Sequence, residues 1–141
     1  MLADMAINTL LQANVTDKII GAFFTVYNKL GFGFLESVYS NAMTIELGKR
    51  LLAVRREVPV EVIYKGVGVG TFRVDMLVAD AVLVEVKATE TLSDADERQL
   101  LNYLRATSIE VGMLLHFGPK AKYRRFVYSN TSKQLHRIDP R

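Results

Sequence analysis

Arg73-Val74-Asp75-Met76-Leu77-Val78-Ala79-Asp80-Ala81-Val82-Leu83-Val84-Glu85-Val86-Lys87 is the stretch on which the fold turns. Two short runs with alternating valines flank a turn near Asp80, the pattern of an antiparallel hairpin. With the turn centred on Asp80, Asp75 lies directly opposite Glu85, their Cβ atoms about 4.5–5.5 Å apart. Two carboxylates so placed repel unless a cation sits between them or one takes a proton. Lys87 projects from the same face as Glu85, about 6.6 Å further along the strand. The other face of that strand, Val82, Val84 and Val86, is wholly apolar and belongs to a core. Converging oxygen ligands on a sheet suit a hard cation such as Mg²⁺ or Mn²⁺. A lysine beside them can orient a water or neutralise charge developing on a phosphate. The plainer alternative is a solvated hairpin whose acids and lysine face water and pair with one another.

Working outward, Val58, Val60, Val62 and Tyr64 alternate with polar residues, and Pro59 assigns that strand to an edge. Residues 65–70 read as a turn. Gly66, Gly68 and Gly70 feed a strand rather than opening a helix, so they are hairpin glycines and not a nucleotide loop. Upstream, helical spacing predicts a helix over 16–30, with Thr16 as N-cap and Ile20, Phe23, Phe24 and Tyr27 as its apolar stripe. Gly31 and Gly33 end it. A second helix over 35–50 carries Leu35, Val38, Tyr39, Ala42 and Ile45. Downstream, Ser93 and Asp96 form a capping box for a helix reaching Ala106, with Leu100, Leu101 and Leu104 buried. Residues 111–117 read as a strand buried on both faces, and 123–128 as the last strand. The order α, α, β, β, β, α, β, β predicts an α/β domain, a mixed β-sheet flanked by helices. Residues 1–128 form this single domain, and 129–141 a loose, basic tail.

At 141 residues the chain can bury a real core. It has no cysteine, which excludes disulfides, zinc-thiolate sites and cysteine nucleophiles and fits a reducing cytoplasm. No apolar run approaches the roughly 18 residues of a membrane span, and the opening residues lack a basic leader region. Seven of the 18 lysines and arginines fall within residues 120–141, leaving a mildly acidic body with a basic end. That asymmetry suits a polyanion, with Lys120, Lys122, Arg124 and Arg125 gripping phosphates; a solvated strand explains the same residues. His116 and His136 lack ligand spacing. Ser37 and Ser40 have no histidine base, which argues against a serine hydrolase. The exposed edge strand would favour pairing into a homodimer.

Two further motifs accompany the hairpin's Asp75 and Glu85-Val86-Lys87: Gly33-Phe34-Leu35-Glu36-Ser37-Val38-Tyr39 and Gln99-Leu100-Leu101-Asn102-Tyr103. Each is weak alone, but in this order they resemble the GxxExxY family, a branch of the PD-(D/E)XK nuclease superfamily. The resemblance covers residues 16–127. It implies a restriction-endonuclease-like core in which Asp75 and Glu85 match the metal-binding acids and Lys87 the catalytic lysine. Glu36 matches an acid that completes or orients the metal shell. Gln99 and Tyr103 match residues that line the site and touch substrate. The chain departs from the family's usual histidines at Tyr27 and Asp96, and from its proline at Phe32.

The resemblance implies a Mg²⁺- or Mn²⁺-dependent phosphodiesterase acting on DNA ahead of RNA. Asp75, Glu85 and the Val86 carbonyl would hold the metal. Lys87, Glu36, Gln99 and Tyr103 would serve catalysis. A non-catalytic nucleic-acid-binding module on the same fold is the first alternative, and an interaction protein whose acids face solvent is the second.

Overall fold

In the computed structural model, which describes residues 11–136, β-strands β1 (Val54–Tyr64), β2 (Val67–Val78), β3 (Val82–Lys87), β4 (Val111–Phe117) and β5 (Ala121–Val127) form one sheet in the order β1-β2-β3-β4-β5. Every neighbouring pair is antiparallel except β3 and β4. A parallel pair needs a crossover, which helix α3 (Asp94–Arg105) supplies. Helices α1 (Ala13–Leu30) and α2 (Glu36–Lys49) cover one face with Val82, Val84, Val86, Met113, Leu115 and Phe117. Helix α3 covers the other with Leu83, Leu100, Tyr103, Leu104 and Leu114. β3 and β4 have a core on both sides, and β4 is buried at every residue, as its continuous apolar run predicts. α3 sits close: a Cβ on Gly112 would meet Leu100 at 3.1 Å, so the helix could not approach a larger residue there without shifting.

The capping box of Ser93 and Asp96 opens α3 as expected. Other boundaries differ from the sequence reading. α1 starts earlier, and Thr16 is buried inside it, donating to the Ala13 carbonyl. Its buried face is Ile19, Ala22, Phe23 and Val26, whereas Phe24 is 37% exposed. α2 buries Tyr39, Ser40, Met43 and Leu47, leaving Leu35 and Ile45 at 77% and 60% exposed. On α3, Tyr103 takes the buried place expected of Leu101. In α1 and α2 apolar residues extend round much of the helix, and the facing sheet selects the phase.

The turn expected over 65–70 is tighter. Lys65 and Gly66 both have positive φ, 49° and 77°, and β2 begins at Val67 with Gly68 and Gly70 inside it. β5 begins at Ala121 rather than Tyr123. The stretch read as a loose tail opens with a short helix, α4 (Asn130–His136), and residues 137–141 lie outside the described residues. Its Lys133 is buried and donates to the carbonyls of Thr107 and Ile109, so this base belongs to the fold and not to a solvated tail.

Candidate functional site

The β2–β3 ladder runs in the register set by a turn at Asp80: Val78 pairs with Val82, Leu77 with Leu83, Met76 with Val84. It then stops, one step short of Asp75 and Glu85. Beyond Val84, β3 stays paired only with β4, through Glu85 to Leu114, Val86 to Leu115 and Lys87 to His116. On its other side, β2 pairs with β1 at Arg56–Met76 and Val58–Val74 but not at Asp75, where Glu57 takes a φ of 51°. The strands therefore part at the acids, and the carboxylates fill the opening. The Asp75 N–H donates to Glu85 Oε1 at 3.0 Å, and the Val86 N–H donates to Asp75 Oδ2 at 2.8 Å. These bonds satisfy amides that a continued ladder would have used.

Each acid thus has one oxygen tied to the backbone and a second left over. Glu85 is only 5% exposed. Burial first, then the Asp75 charge, pushes its carboxyl up to about 8, with Glu36 adding to the rise and Lys87 opposing it. The Tyr103 hydroxyl, buried and facing the field of both acids, is pushed up to about 12. A buried Glu85 beside a half-buried Asp75 fits a divalent cation, which would remove the repulsion between them.

The first turns of α3 hold Lys87. Its Nζ donates to Gln99 Oε1 at 3.2 Å and lies 3.8 Å from Asp96, whose other oxygen accepts from the Ser93 N–H in the capping box. Glu36 is exposed at the start of α2 and reaches Glu85 only through its field. The rest of its motif is structural. Buried Tyr39 stacks on Phe117 at 4.2 Å, donates its hydroxyl to the Gly31 carbonyl and accepts from the Phe34 N–H. That clamp fixes the turn from which Glu36 projects. Among the described residues no cluster of three or more His, Cys, Asp or Glu side chains is placed to hold a metal.

The sequence model of the PD-(D/E)XK nuclease superfamily matches residues 13–126, most of the chain. The chain belongs to that superfamily. Its mixed sheet with helices on both faces agrees with the superfamily's restriction-endonuclease-like fold. The crystal structure of SSO0001 is similar, with a TM-score of 0.51 and 18% identity over 71% of this chain and 55% of that one. That likeness is one of fold, and the chain spans little more than half the length of that protein. No curated protein matches.

The four bases expected to grip phosphates on this superfamily member are not presented together. Strand alternation sends Lys122 and Arg124 towards α3 and Tyr123 and Arg125 towards α1. Arg124 is paired with Glu97 at 3.1 Å, Arg125 donates to the Leu11 carbonyl, and Tyr123 packs against Phe24. Lys120 and Lys122 are exposed. His116, which lacks ligand spacing, is buried and donates Nε2–H to the Thr89 carbonyl at 2.6 Å, anchoring the loop after Lys87. Among the described residues no helix is long and apolar enough to cross a membrane. Sequence reasoning missed Phe72, which stacks on Tyr103 at 4.0 Å, and Arg98, one turn before Asn102 on α3. Neither lies in a motif, and only the fold brings Phe72 to α3.

Proposed function

We propose that this superfamily member is a divalent-cation-dependent phosphodiesterase that cleaves DNA, with RNA as the second candidate, and that it belongs to the GxxExxY branch. One observation carries the reading: two acids are wedged where β2 and β3 part, each with one oxygen anchored and the other free. Asp75, Glu85 and the Val86 carbonyl would hold Mg²⁺ or Mn²⁺. The ion would polarise the scissile phosphate and lower the pKa of an attacking water. Lys87, steadied by Gln99, supplies a fixed positive charge beside Glu85 for the charge growing on the phosphate. Tyr103 keeps its proton up to about 12, so its hydroxyl remains a hydrogen-bond donor at any working pH. Gln99 spends its oxygen on Lys87 and keeps its N–H groups for substrate. Glu36 supports the cation through its field. The Tyr39 clamp supports the branch assignment, because the motif's tyrosine ties down the 31–34 turn that contains the motif's Gly33 and leads into Glu36.

The competing reading is a non-catalytic module that binds nucleic acid on the same fold. The engagement of Lys87 by Asp96 favours it, because that lysine already has a charged partner. Cleavage separates the two. Single- and double-stranded DNA and RNA are incubated with Mg²⁺ or Mn²⁺ and wild type, Asp75→Ala or Lys87→Ala. Cation-dependent cleavage by wild type alone is expected. Equal cleavage by all three would place the activity elsewhere, and none by any of them would leave a binding module.

A further inference from the structure

A groove of about 510 Å³ runs between the β1–β2 arm and α3, lined by Val62, Phe72, Arg98, Asn102 and Arg105, by Gln99, which holds Lys87, and by Tyr103, which feels the charge of both acids. Its chemistry is uneven in an informative way. No carboxylate lines it. Arg98, Asn102 and Arg105 recur at helical spacing along one face of α3, spanning about 10.5 Å of its axis. Two of the acids in the first turns of α3 are already engaged, Asp96 by Lys87 and Glu97 by Arg124. Arg98 is exposed and has no hydrogen bond or ion pair among the described residues, so its charge is available to a ligand. The half-buried Phe72 ring lines the same groove, stacked on Tyr103 with 14° between the planes. An unpaired arginine and an aromatic ring lining one groove match a ligand with anionic links and flat rings. The volume falls in the roughly 300–1,000 Å³ range of small-ligand sites, too small for a duplex. In a duplex, moreover, the bases are already stacked on one another.

We propose that this groove binds an unpaired polynucleotide strand, with Arg98 on a phosphate and Phe72 against a base, and leads it past Gln99 and Tyr103 to the acid pair. The proposal rests on the nuclease reading for its direction, but not for its test. Stacking on an aromatic ring tolerates any base, so the groove selects unpaired strand rather than sequence.

Binding of short single-stranded DNA, single-stranded RNA and blunt duplex DNA is measured without divalent cation, where the strand stays intact, for wild type, Arg98→Ala, Phe72→Leu and Lys49→Ala. Wild type is expected to prefer single strands, and the DNA and RNA arms show which backbone the groove takes. Arg98→Ala should weaken single-strand binding and lower the slope of log affinity against log salt by about 0.7. Phe72→Leu should cost about tenfold. Lys49→Ala removes an exposed charge on α2 and should change nothing. Arg98 is exposed, so its variant will fold even if Phe72→Leu does not. Wild-type binding by both arginine and phenylalanine variants, or no preference for single strands, overturns the groove even if cleavage persists. Arg98-dependent binding without any cleavage by wild type keeps the groove and sinks the nuclease reading.

Discussion

The two ends of the β2–β3 hairpin contrast sharply over a few residues. Near its turn, Met76–Val78 and Val82–Val84 are fully paired, buried and apolar. At its open end, Asp75 and Glu85 replace the ladder with bonds from side chain to main chain. The same two strands thus build core and then chemistry, and the switch comes where backbone pairing gives way to carboxylates. One end is held by burial, which any apolar residue of similar volume could supply. The other is held by oxygen atoms in fixed places. Removing groups at each end should therefore cost different things.

The largest difference should be in rate. Asp75→Asn and Lys87→Ala should each lower cation-dependent cleavage by about 10²-fold or more, since a positioned charge contributes several kcal/mol to the transition state. Lys87→Ala should shift the melting temperature little, because a partly solvated pair such as Lys87–Asp96 is worth about 0–1 kcal/mol. A Lys87 variant that cleaves normally would make that lysine a structural partner of Asp96.

In stability the ranking reverses. Met76→Ala, at the paired end, should cost about 2–5 kcal/mol in denaturant titrations, as for other buried large-to-small changes. Asp75→Asn keeps an oxygen for the Val86 N–H and removes a like charge beside Glu85, so the metal-free fold should be as stable as wild type or slightly more so. Asp75→Ala leaves that amide unsatisfied and should cost about 1–3 kcal/mol. If Asp75→Asn destabilises as much as Met76→Ala, the open end is packing rather than a site.

How far this contrast could be read without coordinates depends on distance along the chain. The hairpin register, the valine core of β3, the α3 capping box and the buried β4 follow from local periodicity and neighbouring caps. The phases of α1 and α2 do not. Phe24 and Phe23 are equally apolar, and only contact with Phe117 decides that Phe23 is inside. The acid pair was legible, but the parting of the strands was not, because it depends on β3 turning its hydrogen bonds to β4. The splitting of the β5 bases was available from strict alternation, but the charge count obscured it. Phe72 against Tyr103, and Lys133 against the carbonyls of residues 107 and 109, join distant segments and needed the fold.

A pH series sharpens the same contrast. The Glu85 carboxyl stands at about 8 in the fold against 4.5 when exposed, so the folded state holds more protons than the unfolded state between those values. Its contribution is fully present below about pH 4.5 and is lost as pH rises through about 8. Metal-free protein should therefore lose stability across that window, by up to about 1.4 kcal/mol per pH unit. Glu85→Gln should flatten the profile, and Met76→Ala should lower it without changing its slope. A divalent cation at 100 times its dissociation constant should restore about 2.7 kcal/mol at the alkaline end, and Asp75→Asn should abolish that gain. Parallel profiles for wild type and Glu85→Gln would show that the buried acid does not titrate there.

The smallest effect should come from the far edge of the sheet, where charge without a fixed partner can be compared with charge already matched. Lys122 and Arg124 share the α3 side of β5, but Glu97 holds Arg124 at 3.1 Å while Lys122 is exposed. Any grip on phosphate at this edge should therefore fall to Lys122 and Lys120. Replacing either by alanine should lower the salt slope of nucleic-acid binding by no more than about 0.7–0.9, one phosphate contact each. Arg124→Ala should alter that slope less, and stability by less than about 1 kcal/mol, because an exposed ion pair is weak. Glu97→Gln releases Arg124 and should raise affinity at low salt, the opposite sign to every lysine change. Titrations between roughly 50 and 200 mM salt measure all four. If Arg124→Ala weakens binding as much as Lys122→Ala, the pair opens in solution, and the edge acts as one basic surface despite the alternation that divides it.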